Sequence, residues 1–188
     1  MSNGPMPPEE DRFQANGVGL AKVAHTKITK LYNLGYKTVN PQLVEVAACL
    51  VQGFDKVTLI EGFIRRSHPH WEIIKKKNIS FFMDHSDTIF GELPMENVNA
   101  FKDLFTLKTD SGEKLLKDSD VKEIWGFLIP MLKICIKYVH KKRGPYSRKG
   151  SDGKIHKKYR KKFMPEIDLS KACEGFDAPL VLDFPVLE

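Results

Sequence analysis

The sequence predicts a mainly α protein: a compact helical domain of five to seven helices, with a basic loop or arm and an extended C-terminal tail. Three observations lead there. Through most of the first 140 positions apolar residues recur at three- and four-residue steps, the spacing of one helix face. Lys137 to Lys162 then holds twelve Lys or Arg residues against one acid, Asp152, a local charge of +11. From Phe163 to Glu188 there are six acids, one lysine and the prolines Pro165, Pro179 and Pro185, a local charge of −5. Residues 1–136 carry seventeen charges of each sign, so the chain's net +6 comes from one segment and is not a property of the body.

The same shifts divide the 188 residues into a disordered leader (1–17), a helical domain (18–140), a basic arm (141–162) and an extended acidic, proline-containing tail (163–188). Met1 to about Asn16 carries Pro5, Pro7, Pro8 and a short acidic patch, the composition of a disordered leader. Gly17-Val18-Gly19 follows without a preceding apolar strand or a third glycine, so it does not support a dinucleotide site.

Leu20, Val23, Ala24, Ile28 and Leu31 predict a first amphipathic helix stopped by Gly35. Asn40 caps a second, with Pro41 in its first turn and Leu43, Val46, Ala47 and Leu50 facing inward; Gly53 ends it. Asp55 caps a third, bearing Val57, Ile60, Phe63 and Ile64. His68-Pro69-His70 then reads as a turn, and Lys75-Lys76-Lys77 as a water-facing run between two short helices. Trp71, Ile74, Phe81, Phe82, Ile89, Phe90 and Leu93 form the densest aromatic-aliphatic cluster. A further helix opens at Leu93-Pro94 and buries Val98, Phe101, Leu104 and Phe105, with a turn at Asp110-Ser111-Gly112.

The last helix begins near Asp118, with Asp118 or Ser119 as its cap and Asp120 and Glu123 favoured by the helix dipole. Val121, Ile124, Trp125, Leu128, Leu132, Cys135, Ile136 and Val139 make its apolar face. Pro130 predicts a kink or a break, since its ring meets the carbonyl of Gly126 and removes one hydrogen bond.

Beyond it, Gly144, Pro145, Gly150 and Gly153 interrupt regular structure. They predict a loop or a hairpin with Asp152-Gly153 at its turn. Tyr138, Tyr146, Tyr159 and Phe163 interleave with the cations. Cations at this density suit phosphate neutralisation, and exposed rings suit stacking on unpaired bases. The residues expected to meet a polyanion are Lys141, Lys142, Arg143, Tyr146, Arg148, Lys149, Lys154, Lys157, Lys158, Tyr159, Arg160, Lys161 and Lys162. An acidic protein surface is the competing target. In the tail, Phe176, Leu180, Val181, Leu182 and Phe184 are expected to bind a partner as an edge strand or to lie along the body. Alternatively, by charge, the tail folds back on the arm and screens it when no partner is bound.

Other chemistry is thinly supported. Cys49, Cys135 and Cys173 are far apart and form no CxxC pair; the first two fall on apolar stripes and read as core residues. His68, His70 and His85 suggest a metal-dependent enzyme, with Asp84 and Asp87 nearby. Neither a third ligand at fixed spacing nor a nucleophile accompanies them, and such a site must converge three or four ligands. The sequence therefore assigns no catalytic residue, metal or cofactor. No apolar run approaches the roughly eighteen residues of a membrane span, and the first thirty residues lack a secretory core. A soluble intracellular protein is expected.

Two stretches also carry a resemblance: FFMDHSDTIFGELPMENVNAFKDLF, Phe81 to Phe105, and IWGFLIPMLKICIKYVHKKRGPY, Ile124 to Tyr146. In aromatic and leucine spacing they resemble small helical proteins of large nucleocytoplasmic DNA viruses, over roughly residues 40–146. The resemblance implies a virion-associated or minor capsid role, in the virus factory or the virion, and brings no catalytic residues. Three functions follow in order: a non-enzymatic assembly protein whose arm contacts a polyanion or an acidic neighbour, a free sequence-nonspecific DNA- or RNA-binding protein using the same arm, and the enzyme of the histidine region.

Overall fold

The computed structural model describes residues 6–36, 40–85, 88, 95–109 and 111–186. Expectations resting on Asp87, Ile89, Phe90, Leu93, Pro94 and Asp110 lie outside the described residues. So do those on the side chains of Leu43, Ala47, Phe82, Val98, Phe101 and Leu104. The chain is mainly α, as its periodicity predicts: α1 (Glu9–Asn33), α2 (Pro41–Gly53), α3 (Lys56–Ser67), a 3-10 turn (His68–His70), α4 (Trp71–Lys75), α5 (Ile79–Asp84), α6 (Met95–Thr106), α7 (Asp118–Lys142), a hairpin of β1 (Pro145–Lys149) and β2 (Ile155–Tyr159), and the one-turn α8 (Leu169–Ala172).

α1 starts at Glu9, eleven residues before the first residue of its expected apolar stripe, Leu20, which corrects the leader assignment for residues 9–17. Glu9, Glu10 and Asp11 sit in its first turn, where the dipole favours carboxylates, and Phe13 is only 1% exposed, packed tilted on Phe63. α1 lies against α2, α3 and α7. The two glycines of Gly17-Val18-Gly19 are where these helices approach it. A Cβ on Gly17 would stand 3.1 Å from Val51 Cγ1, and one on Gly19 would stand 2.6 Å from the Phe127 ring. Gln14 Nε2 crosses from α1 to donate to the carbonyls of Val51, Gln52 and Phe54 at 3.0–3.1 Å, satisfying C-terminal acceptors of α2 that have no partner within that helix.

α2 is capped by Asn40, whose side chain accepts from Gln42 N–H, but its burial differs from the stripe expected. Val44 packs on the core and Val51 meets α1, while Val46 is 52% exposed and Leu50 and Cys49 are exposed too. The helix is apolar nearly all round, so its periodicity could not say which side meets the body. Asp55 caps α3 through Thr58, as expected, and Ile60 and Ile64 are fully enclosed.

α7 is the centre of the molecule. Asp120 rather than Asp118 or Ser119 caps it, reaching back to accept from Lys117 N–H at 3.0 Å. Lys27 of α1 pairs with Asp120 at 2.6 Å and Glu123 at 3.2 Å. The helix continues through Pro130 without a break. In its last third, Ile134, Cys135, Ile136, Tyr138, Val139 and His140 are all buried, more than one apolar face. The tail is the reason: Ile167, Leu169 and Ala172 join the same core, and Phe163, Phe176, Leu180 and Leu182 pack against it.

Lys75 does not face water as its neighbours Lys76 and Lys77 do. Its side chain is 1% exposed, and Nζ donates to Glu72 at 2.6 Å, to the Glu174 carbonyl at 2.7 Å, and to the carbonyls of Lys171 and Ala172 at 3.4 Å. The ammonium thus caps α8 from another helix and fastens the tail to α4. Both this cation and that of Lys133 lie over the Phe176 ring. The extended-tail expectation is corrected at Leu169–Ala172, where Asp168 caps a helical turn.

Candidate nucleic-acid interface

The basic segment folds as a hairpin, one of the two forms its glycines left open. Pro145 pairs with Tyr159, Tyr146 with Lys158, Ser147 with Lys157, Arg148 with His156 and Lys149 with Ile155. Gly150 N–H bonds to the Lys154 carbonyl and Gly153 N–H to that of Gly150. Gly153 has φ +75°, the left-handed residue that closes a three-residue loop of this kind. Asp152 Oδ1 accepts from Lys154 N–H at 3.0 Å and lies 3.2 Å from His156 Nε2. Those partners, the backbone N–H first, hold its carboxyl below the usual range. The segment's one acid is therefore turned into the loop.

Strand alternation sorts the side chains onto two faces. One face carries Tyr146, Arg148, His156 and Lys158, continued by Arg160, and these line an open concavity of about 720 Å³ with Lys149, Gly150 and Ser151. Arg160 lies over the Tyr146 ring. The other face meets the body and tail. Ser147 N–H donates to the Pro185 carbonyl at 2.8 Å, which lays residues 184–186 along the outer edge of β1. Phe184 packs edge-on against His140 and Tyr159, with Lys157 over its ring. His140 Nε2 lies 2.6 Å from the Asp183 carbonyl and Nδ1 3.0 Å from the Tyr159 hydroxyl.

The structure divides the expected polyanion-binding residues. Tyr146, Arg148, Lys158 and Arg160 come together on the outward face with Lys149 lining the edge of its concavity, Lys154 stands at the loop, and Lys161 and Lys162 are exposed beyond β2. Others have structural partners. Arg143 donates to the Ile167 carbonyl at 2.7 Å and lies over Tyr159, Lys141 pairs with Glu9, and Lys142 lies over Tyr138. Tyr159 is tied to His140, and burial pushes its hydroxyl pKa up. Tyr138 is only 1% exposed and donates to Glu61 at 2.8 Å; Phe163 packs edge-on against it. Of the four interleaved aromatics, only Tyr146 faces outward. Sequence reasoning missed His156, Gly150 and Ser151; the two-residue step from His156 to Lys158 was the available signal.

Of the two placements considered for the tail, it lies along the body. Phe176, Leu180 and Leu182 pack on the core and Phe184 on the hairpin, leaving Val181 exposed. Among the described residues no ion pair joins a tail carboxylate to a hairpin cation, and the tail attaches through carbonyls and Phe184 instead.

The histidine region brings His70 and His85 together with ring centroids 5.6 Å apart, both packed on Phe81, while His68 Nδ1 faces the Arg65 carbonyl. Burial, followed by the neighbouring His85 and His68, lowers the His70 pKa. Among the described residues no three His, Cys, Asp or Glu side chains converge to hold a metal ion. Buried Cys135 has its thiol pKa raised well above the usual value by desolvation. No described helix is long and apolar enough to cross a membrane. Comparison with protein-family models, with curated proteins and with solved structures finds no match to this chain.

Proposed function

We propose that this chain is a non-enzymatic, sequence-nonspecific nucleic-acid-binding protein that grips phosphates with the outward face of its hairpin. The observation that supports this reading is the sorting of side chains. Arg148, Lys158 and Arg160 share one solvent-facing concave surface, while the segment's one acid is drawn into the loop. Each phosphate neutralised releases condensed counterions, so affinity should fall linearly with the logarithm of salt concentration.

The test is a salt series on duplex and single-stranded DNA with the intact protein and with a variant carrying Arg148→Gln, Lys158→Gln and Arg160→Gln. These side chains are exposed, so the fold should survive, which a thermal melt checks. The log–log slope should become shallower by about two to three, at roughly 0.9 per duplex phosphate contact. An unchanged slope, or no binding by the intact protein at moderate salt, defeats the proposal.

A second reading, an assembly protein of the virion-associated type, draws on a different observation. Val46, Leu50 and Phe54 leave apolar surface on α2 and just beyond it. In that reading the body contacts neighbouring proteins while the hairpin meets a polyanion or an acidic surface. Sizing across protein concentration with Val46→Lys and Leu50→Lys, against the parent chain, tests it: the substitutions must abolish any concentration-dependent association.

A further inference from the structure

The hairpin is anchored at one end only. Ser147 is buried, and Tyr159 is held by His140 and Phe184, so the base of the ribbon is part of the body. From Arg148 to Lys158 every residue is exposed except Gly150, which is half-buried under Asp152 and His156. The distal half is therefore a free-standing two-stranded ribbon with solvent on both faces. It carries Arg148, Lys149 and Lys154, and near its tip stands the apolar Ile155, 67% exposed and paired with Lys149.

We infer that this ribbon inserts into the major groove of B-form duplex DNA, an inference resting on the nucleic-acid reading above and specifying its ligand. Dimensions fit. A ribbon with its side chains is about 10 Å thick, taking the face-to-face spacing of packed sheets, and the groove is about 12 Å wide. The three steps from Ser147 to Gly150, at about 3.4 Å each, reach roughly 10 Å, against a groove depth of about 8.5 Å. Inside the groove, Lys149, Ser151 and Lys154 would face base edges, and Ile155 would lie against thymine methyls. At the ribbon's base, Lys158, Arg160, Lys161 and Lys162 are placed for the flanking phosphates.

Other nucleic-acid forms suit the ribbon less well. A-form RNA has a deep, narrow major groove that side chains cannot enter. Single strands call for several outward rings as stacking platforms. The hairpin offers one, Tyr146, with Arg160 already over it.

The experiment titrates the full chain at one fixed salt concentration. Its probes are a short B-form DNA duplex, the same duplex with every cytosine replaced by glucosylated 5-hydroxymethylcytosine, an RNA duplex of that sequence, and the single strand. Glucosylation fills the major groove without changing the phosphate charge. The plain duplex should bind about tenfold or more tighter than each of the others, within the range that groove contacts supply. Lys149→Gln with Lys154→Gln should narrow that gap, and a minor-groove competitor such as netropsin should leave binding unchanged. Equal affinity for plain and glucosylated duplexes overturns the groove inference while leaving phosphate binding standing. No binding to any of the four probes overturns both.

Discussion

Replacing Lys75 by Met keeps an unbranched stem of similar volume and removes the ammonium that fastens the tail. The short bond to the Glu174 carbonyl, 2.7 Å, is a charge-assisted hydrogen bond of about 1.5–3 kcal/mol. The carbonyls at 3.4 Å contribute less, but Ala172 is buried, and an acceptor left dry there costs about 1–2 kcal/mol. Two effects work the other way. The desolvation cost of a buried cation disappears, and Glu72, 46% exposed, can rehydrate. The net destabilisation should be about 2–3 kcal/mol. Urea unfolding followed by fluorescence should show it as a midpoint lower by about 1–2 M, given slopes of roughly 1–3 kcal/mol/M. Hydrogen exchange should localise it: amides of 167–186 lose protection first, then those of β1, whose outer edge the tail covers. DNA affinity should weaken although Lys75 lies outside the hairpin. A variant with an unchanged midpoint and unchanged tail protection would refute the claim that this lysine holds the C-terminal segment.

Two further expectations concern the loop and the histidines. Gly150→Ala should loosen the hairpin tip, because the added Cβ would stand 2.7 Å from Asp152 Oδ1 and 2.8 Å from the His156 ring. NMR should show the Asp152 carboxylate and the His156 ring moved apart while the melting temperature shifts little. If the two side chains stay hydrogen-bonded in the variant, the crowding at Gly150 is not as described. The His70 pKa lies below its unfolded value of about 6.5, so the unfolded chain binds this proton more readily and stability falls as pH drops from about 6.5 downward. His70→Gln should flatten that part of the pH–stability curve. Identical curves for parent and variant would show that the ring is not what titrates.

Local sequence signals determined the helices and the hairpin. Asn40 and Asp55 hydrogen-bond the first turns of α2 and α3, and Gly153 supplies the positive φ of the loop, so each element could be read from the residues that make it. The concentration of positive charge was equally legible, because composition depends on no fold. What only the tertiary structure decided was which side of each element faces which neighbour. Tyr138 and Tyr146 look alike in a basic run, yet one donates to Glu61 inside the core and the other lies in the outward concavity. Lys75 is one of three consecutive lysines and is enclosed because carbonyls nearly a hundred residues later converge on it. Val46 and Leu50 stay exposed while α2 meets α1 through Val51, which stands against Gly17. Periodicity reports that a helix has an apolar face. Burial is set by packing between segments far apart in the chain: in α7, Tyr138 meets Glu61 of α3 and Phe163, and His140 meets Asp183 and Phe184 of the tail.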